Sequence, residues 1–92
     1  MARVLVVAQC ADLAKWEQGF RTHGDLFRSM GATKPVTYGT TGENTVAVCM
    51  EVSDLAHYRS ILNSPATAQA MAVDGILRES VKSFVLDKEL AV

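Results

Sequence analysis

Metal and redox chemistry have little to work with in this chain. Its two cysteines, Cys10 and Cys49, each sit inside an apolar run, with no Cys-x-x-Cys spacing and no Cys/His grouping around them. They read as reduced core thiols, and neither a metal nor a redox cofactor is expected. An excess of one charge is also missing: a net charge of -1 over 92 residues gives no electrostatic reason to bind nucleic acid or an anionic membrane. Long hydrophobic runs are absent as well. The run from Val4 to Ala8, after Arg3, is too short for a signal-peptide core or a transmembrane span. The expectation is a cytoplasmic protein whose mature chain begins near Met1.

Against these absences stands a hydrophobic fraction of 49%, which is too high for a disordered chain. At this length it supports one domain, residues 1–92, with a single modest core.

The stretch from Asp12 to Met30 organises the rest. Leu13, Trp16, Phe20, Phe27 and Met30 recur at helical spacing, and His23 fills the one gap in the series. This predicts an amphipathic helix capped by Asp12 and ended by Gly31. Its apolar face carries the only Trp and two of the three Phe. Burying it removes a few hundred Å² of apolar surface at about 25 cal/mol per Å², so packing holds the helix. A histidine is thereby pointed into whatever the helix packs against.

Before the helix, Val4 to Cys10 is apolar on both alternations, as in a strand covered on both faces. After it, Val36 to Thr41 reads as a half-polar edge strand, and Gly42, Glu43 and Asn44 as a hairpin turn. The return strand, Thr45 to Val52, is again apolar on both alternations. Ser53 or Asp54 caps a second helix that buries Leu55, Tyr58, Ile61 and Leu62. Ser64 and Pro65 restart it at an angle, with Ser as N-cap and Pro at the first helical position. Asp74 and Gly75 stop that piece, and a last edge strand runs from about Ser80 to Leu86, followed by a short tail, Lys88 to Val92, able to reach a neighbouring subunit.

An internal repeat sets the topology. Laying Val6 to Trp16 over Val48 to Tyr58 matches Asp12-Leu13-Ala14-x-Trp16 with Asp54-Leu55-Ala56-x-Tyr58. Two strand-cap-helix halves joined by a hairpin give β-α-β-β-α-β, a ferredoxin-like α+β fold with a four-stranded antiparallel sheet. The right-handed crossover rule puts strands one and three in the middle. Two helices cover one sheet face only, yet the central strands are apolar on both. A second copy packed sheet to sheet would cover the other face and close a homodimer; whether Val6 or Val7 faces that copy is not set by the pattern.

His23 is the first chemical candidate. One reading is a partly buried histidine satisfied by a backbone carbonyl, or one lying at the margin of the apolar stripe; the other is a general acid/base beside Trp16 and Phe20 in a cleft between helix and sheet. Gln9, the one polar residue in its strand, either bonds an adjacent loop or orients a ligand. Tyr38 either packs or joins the cleft. Tyr58 reads as core, being the repeat counterpart of Trp16, and His57 and Arg59 as solvated. Gly39-Thr-Thr-Gly42 is a turn and not a phosphate loop, since no helix and no Lys-Ser/Thr follow it. Missing too are the interleaved aromatic and basic residues of an RNA-binding sheet.

Taken together, Trp16-x-x-x-Phe20-x-x-His23 ending in Gly31, the strand Val46 to Val52, and Asn63-Ser64-Pro65 followed by Ala70-Met71 resemble the dimeric α+β barrel superfamily. Within it, the chain resembles the small antibiotic-biosynthesis-monooxygenase-like proteins. The resemblance covers nearly the whole chain. It implies a cofactor-independent monooxygenase or cyclase acting on an aromatic or polyketide-like ligand, and of the residue types such clefts use, this chain offers Trp16, Tyr38 and His23. From the residues themselves, Phe20 and Gln9 join as ligand-binding, with His23 as the catalytic acid/base. Its heme-degrading branch is disfavoured, because Met71 stands where that branch carries an axial histidine. A dimer that binds a small molecule without turning it over, or serves a stress response, is the alternative.

Overall fold

The computed structural model describes residues 2–92. Strand β1 (Ala2–Gln9) leads into α1 (Leu13–Phe20) and α2 (Gly24–Ser29). The hairpin β2 (Thr37–Thr40) and β3 (Thr45–Val52) follows, then α3 (Leu55–Leu62), α4 (Pro65–Val73), a 3-10 turn at Arg78–Ser80 and β4 (Lys82–Val85). All strand pairs are antiparallel, in the order β2-β3-β1-β4. This is the expected ferredoxin-like α+β arrangement, with strands one and three central and the other two at the edges.

The repeat is visible in the register. Val6 lies directly opposite Val48, the residue it matches in the sequence, so the two halves meet there about an approximate two-fold relation. Asp12 caps α1 by accepting from the amides of Ala14 and Lys15, and Asp54 caps α3 by accepting from that of His57. Trp16 and Tyr58, one helical turn into each half, are both essentially solvent-free.

The predicted helix from Asp12 to Met30 is broken. Thr22 Oγ1 donates to the Gly19 carbonyl at 2.6 Å, and the amides of Thr22 and His23 turn to the carbonyls of Gly19 and Phe20. A side-chain hydroxyl competing for a backbone carbonyl, between glycines 19 and 24, ends one helix and lets the next start at a new angle. Leu26, Phe27 and Met30 still reach the core. The last strand is also shorter than predicted: Ser80 belongs to the 3-10 turn, and the strand runs only from Lys82 to Val85.

Both helical halves end in a Schellman motif. At Gly31 (φ +89) the amides of Gly31 and Ala32 bond the carbonyls of Arg28 and Phe27. At Gly75 (φ +79) those of Gly75 and Ile76 bond Ala72 and Met71. The second motif is stitched to the end of β1 by Ala11 N–H to Gly75 O at 3.0 Å and Leu77 N–H to Gln9 O at 2.9 Å. That stitch sets the end of α4 beside α1.

Alternation divides the sheet cleanly. Val4, Ala8, Val46, Val48, Met50 and Val52 are buried under the helices, and Val6 faces the same way. Leu5, Val7, Ala47, Cys49 and Phe84 lie on the opposite face, which no helix covers. Cys49 is therefore half-buried on the open face instead of in the core, whereas Cys10 is buried as expected. Phe84 and Leu86, at 47% and 46% exposure, extend the apolar surface along the β4 edge. No helix among the described residues is long and apolar enough to cross a membrane.

Candidate functional site

The helix break delivers His23. It occupies the N-cap position of α2, where its side chain makes no capping bond and is free to turn inward. There Nε2 lies 2.9 Å from Oδ2 of Asp74. The imidazole is 22% exposed and the carboxylate 5%. Asp74 is the C-cap of α4, an unfavourable place for an acid, because the helix C-terminus already carries partial negative charge. Its other oxygen, Oδ1, is buried without a hydrogen-bond partner. A buried acceptor left unsatisfied costs about 1–3 kcal/mol. The site therefore holds a carboxylate at some expense to stability, and among the described residues its hydrogen-bond partner is His23.

Room for this carboxylate comes from Gly19. A Cβ built there would stand 1.9 Å from Asp74 Oδ1, so α1 must present a bare backbone at that turn. Glycine in a helix interior is otherwise unfavourable by about 0.5–1 kcal/mol against alanine. The packing of Asp74 is the reason this one is tolerated.

His23 and Asp74 stand on the wall of a cavity of about 80 Å³ between helices and sheet. Apart from these two and Thr67, its lining is apolar, with Trp16, Phe20 and Met71 among the side chains. Thr67 donates its hydroxyl to the Ile61 carbonyl at 2.6 Å, which leaves the histidine and the carboxylate as the groups available to a ligand. With Nε2 bonded to Asp74, Nδ1 makes no hydrogen bond among the described residues. The arrangement can accept a proton at Nδ1, with the carboxylate against the cation that results.

Three of the five expected site residues converge here. Trp16 stacks on Phe20 with ring centroids 4.7 Å apart, and both line the cavity with His23. Tyr38 touches the same aromatic cluster, 4.8 Å from Phe20 and 5.6 Å from Trp16, but its hydroxyl is committed elsewhere. It donates to Glu17 Oε2 at 2.8 Å and accepts from Arg21 Nε at 3.0 Å. Gln9 is not brought to the cavity. It is exposed, its side chain falls on the open sheet face by alternation, and its backbone pairs with Ser80 and Leu77.

Tyr58 is core, its hydroxyl 3.3 Å from that of Ser83. His57 is exposed yet not wholly solvated, since Nε2 reaches the Ser29 carbonyl at 2.6 Å and ties α3 to α2. Asp74 is the residue that sequence reasoning missed. The signal was present in an acid placed at a helix end where the dipole disfavours it, together with an unexplained glycine inside α1. Among the described residues no group of three or more His, Cys, Asp or Glu could hold a metal.

No protein-family model matches the chain, and no curated protein matches it either. Solved structures do. A structure described as an antibiotic biosynthesis monooxygenase superposes with a TM-score of 0.69 at 10% identity, covering 98% of this chain and 100% of its own. SnoaB, a cofactor-independent oxygenase from Streptomyces nogalater, gives 0.67 at 14% identity over 99% and 94%. A dimeric ferredoxin-like protein of unknown function from Thermobifida fusca gives 0.58 at 15% identity over 92% and 88%. Such identities carry the backbone and not the chemistry. Over nearly its whole length, the chain has the ferredoxin-like α+β fold of the antibiotic biosynthesis monooxygenase structures.

Proposed function

We propose that the protein acts on a small aromatic, polyketide-like molecule as a cofactor-independent monooxygenase or cyclase, with His23 as its acid/base. The observation that carries this reading is the His23–Asp74 pair on the wall of an otherwise apolar cavity, at the expense of an unsatisfied buried oxygen. In this reading Nδ1 takes the proton of a phenol or enol, Asp74 orients the ring and faces the developing cation, and Trp16 and Phe20 flank the substrate. The resulting anion is electron-rich enough to react with oxygen directly: a ring methylene and O₂ become a carbonyl and water, the substrate supplying the electrons. A cyclase would use the same proton transfer in an aldol closure: the enolate carbon attacks a carbonyl carbon of the same substrate, whose C=O π bond opens to an alkoxide that takes the proton back from His23.

The working unit is a homodimer closed over the open sheet face. The support is the apolar centre of that face, Leu5, Val7, Ala47, Cys49 and Phe84, ringed by Arg3, Glu51, Gln9 and Lys82. Apolar cores with polar rims are what stable interfaces present. The free cysteines suit the reducing cytoplasm.

One observation favours a binding protein over an enzyme. A cavity of about 80 Å³ is smaller than the roughly 150 Å³ that admits benzene, so a ring enters only if Met30, Met50 or Met71 moves aside. Methionine is the side chain best able to do so. Oxygen uptake with electron-rich phenolic substrates decides between the two. The enzyme reading expects turnover that falls by about 10²- to 10⁴-fold in His23→Ala while the dimer persists; binding without turnover, unchanged by that substitution, fits the alternative.

A further inference from the structure

Beside the cavity, separated from it by two rings, lies a groove of about 240 Å³ on the protein surface. Phe20 and Phe27 line both spaces, their ring centroids 5.1 Å apart. The groove side of this wall carries Arg21, Arg28 and Lys34, and among the described residues no carboxylate lines it. The acids that pair with these cations, Glu17, Asp25 and Glu51, stand outside the lining. The Arg21–Glu17 and Arg28–Asp25 pairs are solvent-exposed, and such pairs contribute little, so an incoming anion can exchange with those partners, while Lys34 is itself exposed although its partner Glu51 is half-buried.

We propose that this groove is the outer compartment of the ligand site. It holds the anionic end of an aromatic organic acid whose ring reaches toward His23 by pushing apart Phe20 and Phe27, which touch each other in this structure. The proposal rests on the reading of the cavity as a ligand site and adds the chemistry of the ligand. Size is one argument. Binding sites for small molecules span about 300–1,000 Å³, which the cavity alone does not approach. Charge is the other, and it fixes the orientation. Inside, Asp74 with its unpaired oxygen repels an anion, while outside three cations attract one. A carboxylate, sulfonate or phosphate on the ligand therefore stays in the groove and the apolar ring goes inward.

The test compares two dyes with one ring framework: 8-anilinonaphthalene-1-sulfonate, which is anionic, and N-phenyl-1-naphthylamine, which is neutral. Binding is followed by fluorescence and by the NMR signal of the His23 imidazole. The anionic dye should bind the wild type about tenfold tighter at low salt, an advantage consistent with a few exposed ion pairs and one that shrinks as salt is added. The exposed double variant Arg28→Gln/Lys34→Gln, which leaves the core untouched, should bring it down to the neutral dye's affinity without changing the latter. Phe27→Trp, which puts a bulkier ring in the wall that the ligand must push aside, should weaken both.

Equal binding of the two dyes, or anionic binding indifferent to the double variant, overturns the outer compartment. If the neutral dye still moves the His23 signal in that case, the cavity reading stands without it. If neither dye moves His23, the cavity reading fails and takes this proposal with it.

Discussion

His23 Nε2 meets Asp74 Oδ2 at 2.9 Å across 51 residues of sequence, joining the break between the first two helices to the end of the last one. Asp74 Oδ1 sits without a partner against Gly19, so three residues from two halves of the fold form one unit. Changing any of them should be felt by the other two.

Gly19→Ala tests that coupling. By propensity alone it should stabilise α1 by about 0.5–1 kcal/mol. A Cβ 1.9 Å from Asp74 Oδ1 instead forces the carboxylate off its place, and overpacking of this kind costs about 1–3 kcal/mol. Urea midpoints should show a net loss in the wild-type background. In an Asp74→Ala background the same substitution should be neutral or stabilising. A gain in both backgrounds would mean that the two residues are not coupled.

The open sheet face makes a second prediction, with Cys49 as its reporter. Leu5→Asp or Val7→Asp should give monomer or aggregate, while Val6, which faces the cavity, should behave differently when changed. In wild type the Cys49 thiol should react slowly at concentrations that favour the dimer and quickly on dilution. Cys10 should stay inert throughout, being 2% exposed and having its thiol pushed upward by burial. A wild-type protein that sediments as a monomer at micromolar concentration contradicts the interface.

Alkaline pH should weaken the fold through two buried groups. Burial pushes the Tyr58 phenol above its ordinary 10.0 and the Cys10 thiol above its ordinary 9.0. For each, the folded state holds its proton more tightly than the unfolded one. Stability is therefore fully present below those ordinary values and is lost as pH rises past them toward the raised values. Tyr58→Phe keeps the ring, gives up the Ser83 contact and should flatten part of the decline above pH 10. At the acid end the sign reverses. Lys34, aided by Arg3, holds the Glu51 carboxyl below its ordinary 4.5, so that contribution is present above this value and is lost as pH falls through the lowered one. High salt should reduce it in part, because Lys34 is exposed while Glu51 is half-buried. A stability profile flat from pH 8 to 11, with or without Tyr58, would contradict the alkaline limb.

Much of the fold was legible because local chemistry and global topology agree. Asp12, Asp54 and Ser64-Pro65 mark helix starts that the structure keeps, and the Val6–Val48 repeat marks the centre of the sheet. The helix break was not legible, since the apolar spacing continues through it and only Thr22 between glycines 19 and 24 hints at an interruption. The direction of Gln9 was hidden for a different reason. A strand apolar on both alternations does not reveal which side the helices take, and a shift of one residue exchanges the two faces. Asp74 stayed hidden because an acid before a glycine reads as a helix stop, and its pairing with His23 depends on the Gly75 turn and its stitch to β1.

The central claim is that His23 is a ligand-facing acid/base oriented by Asp74, and not only a residue satisfied within the fold. An NMR titration of the imidazole, with and without a phenolic ligand, in wild type and in Asp74→Asn, tests it most directly. The account predicts that ligand shifts the His23 resonances and their titration in wild type, and that Asp74→Asn alters this response while the urea midpoint changes little, by about 1 kcal/mol or less. An imidazole indifferent to every ligand in both proteins, together with a large fall in midpoint for Asp74→Asn, would make the pair a structural tie and contradict the account.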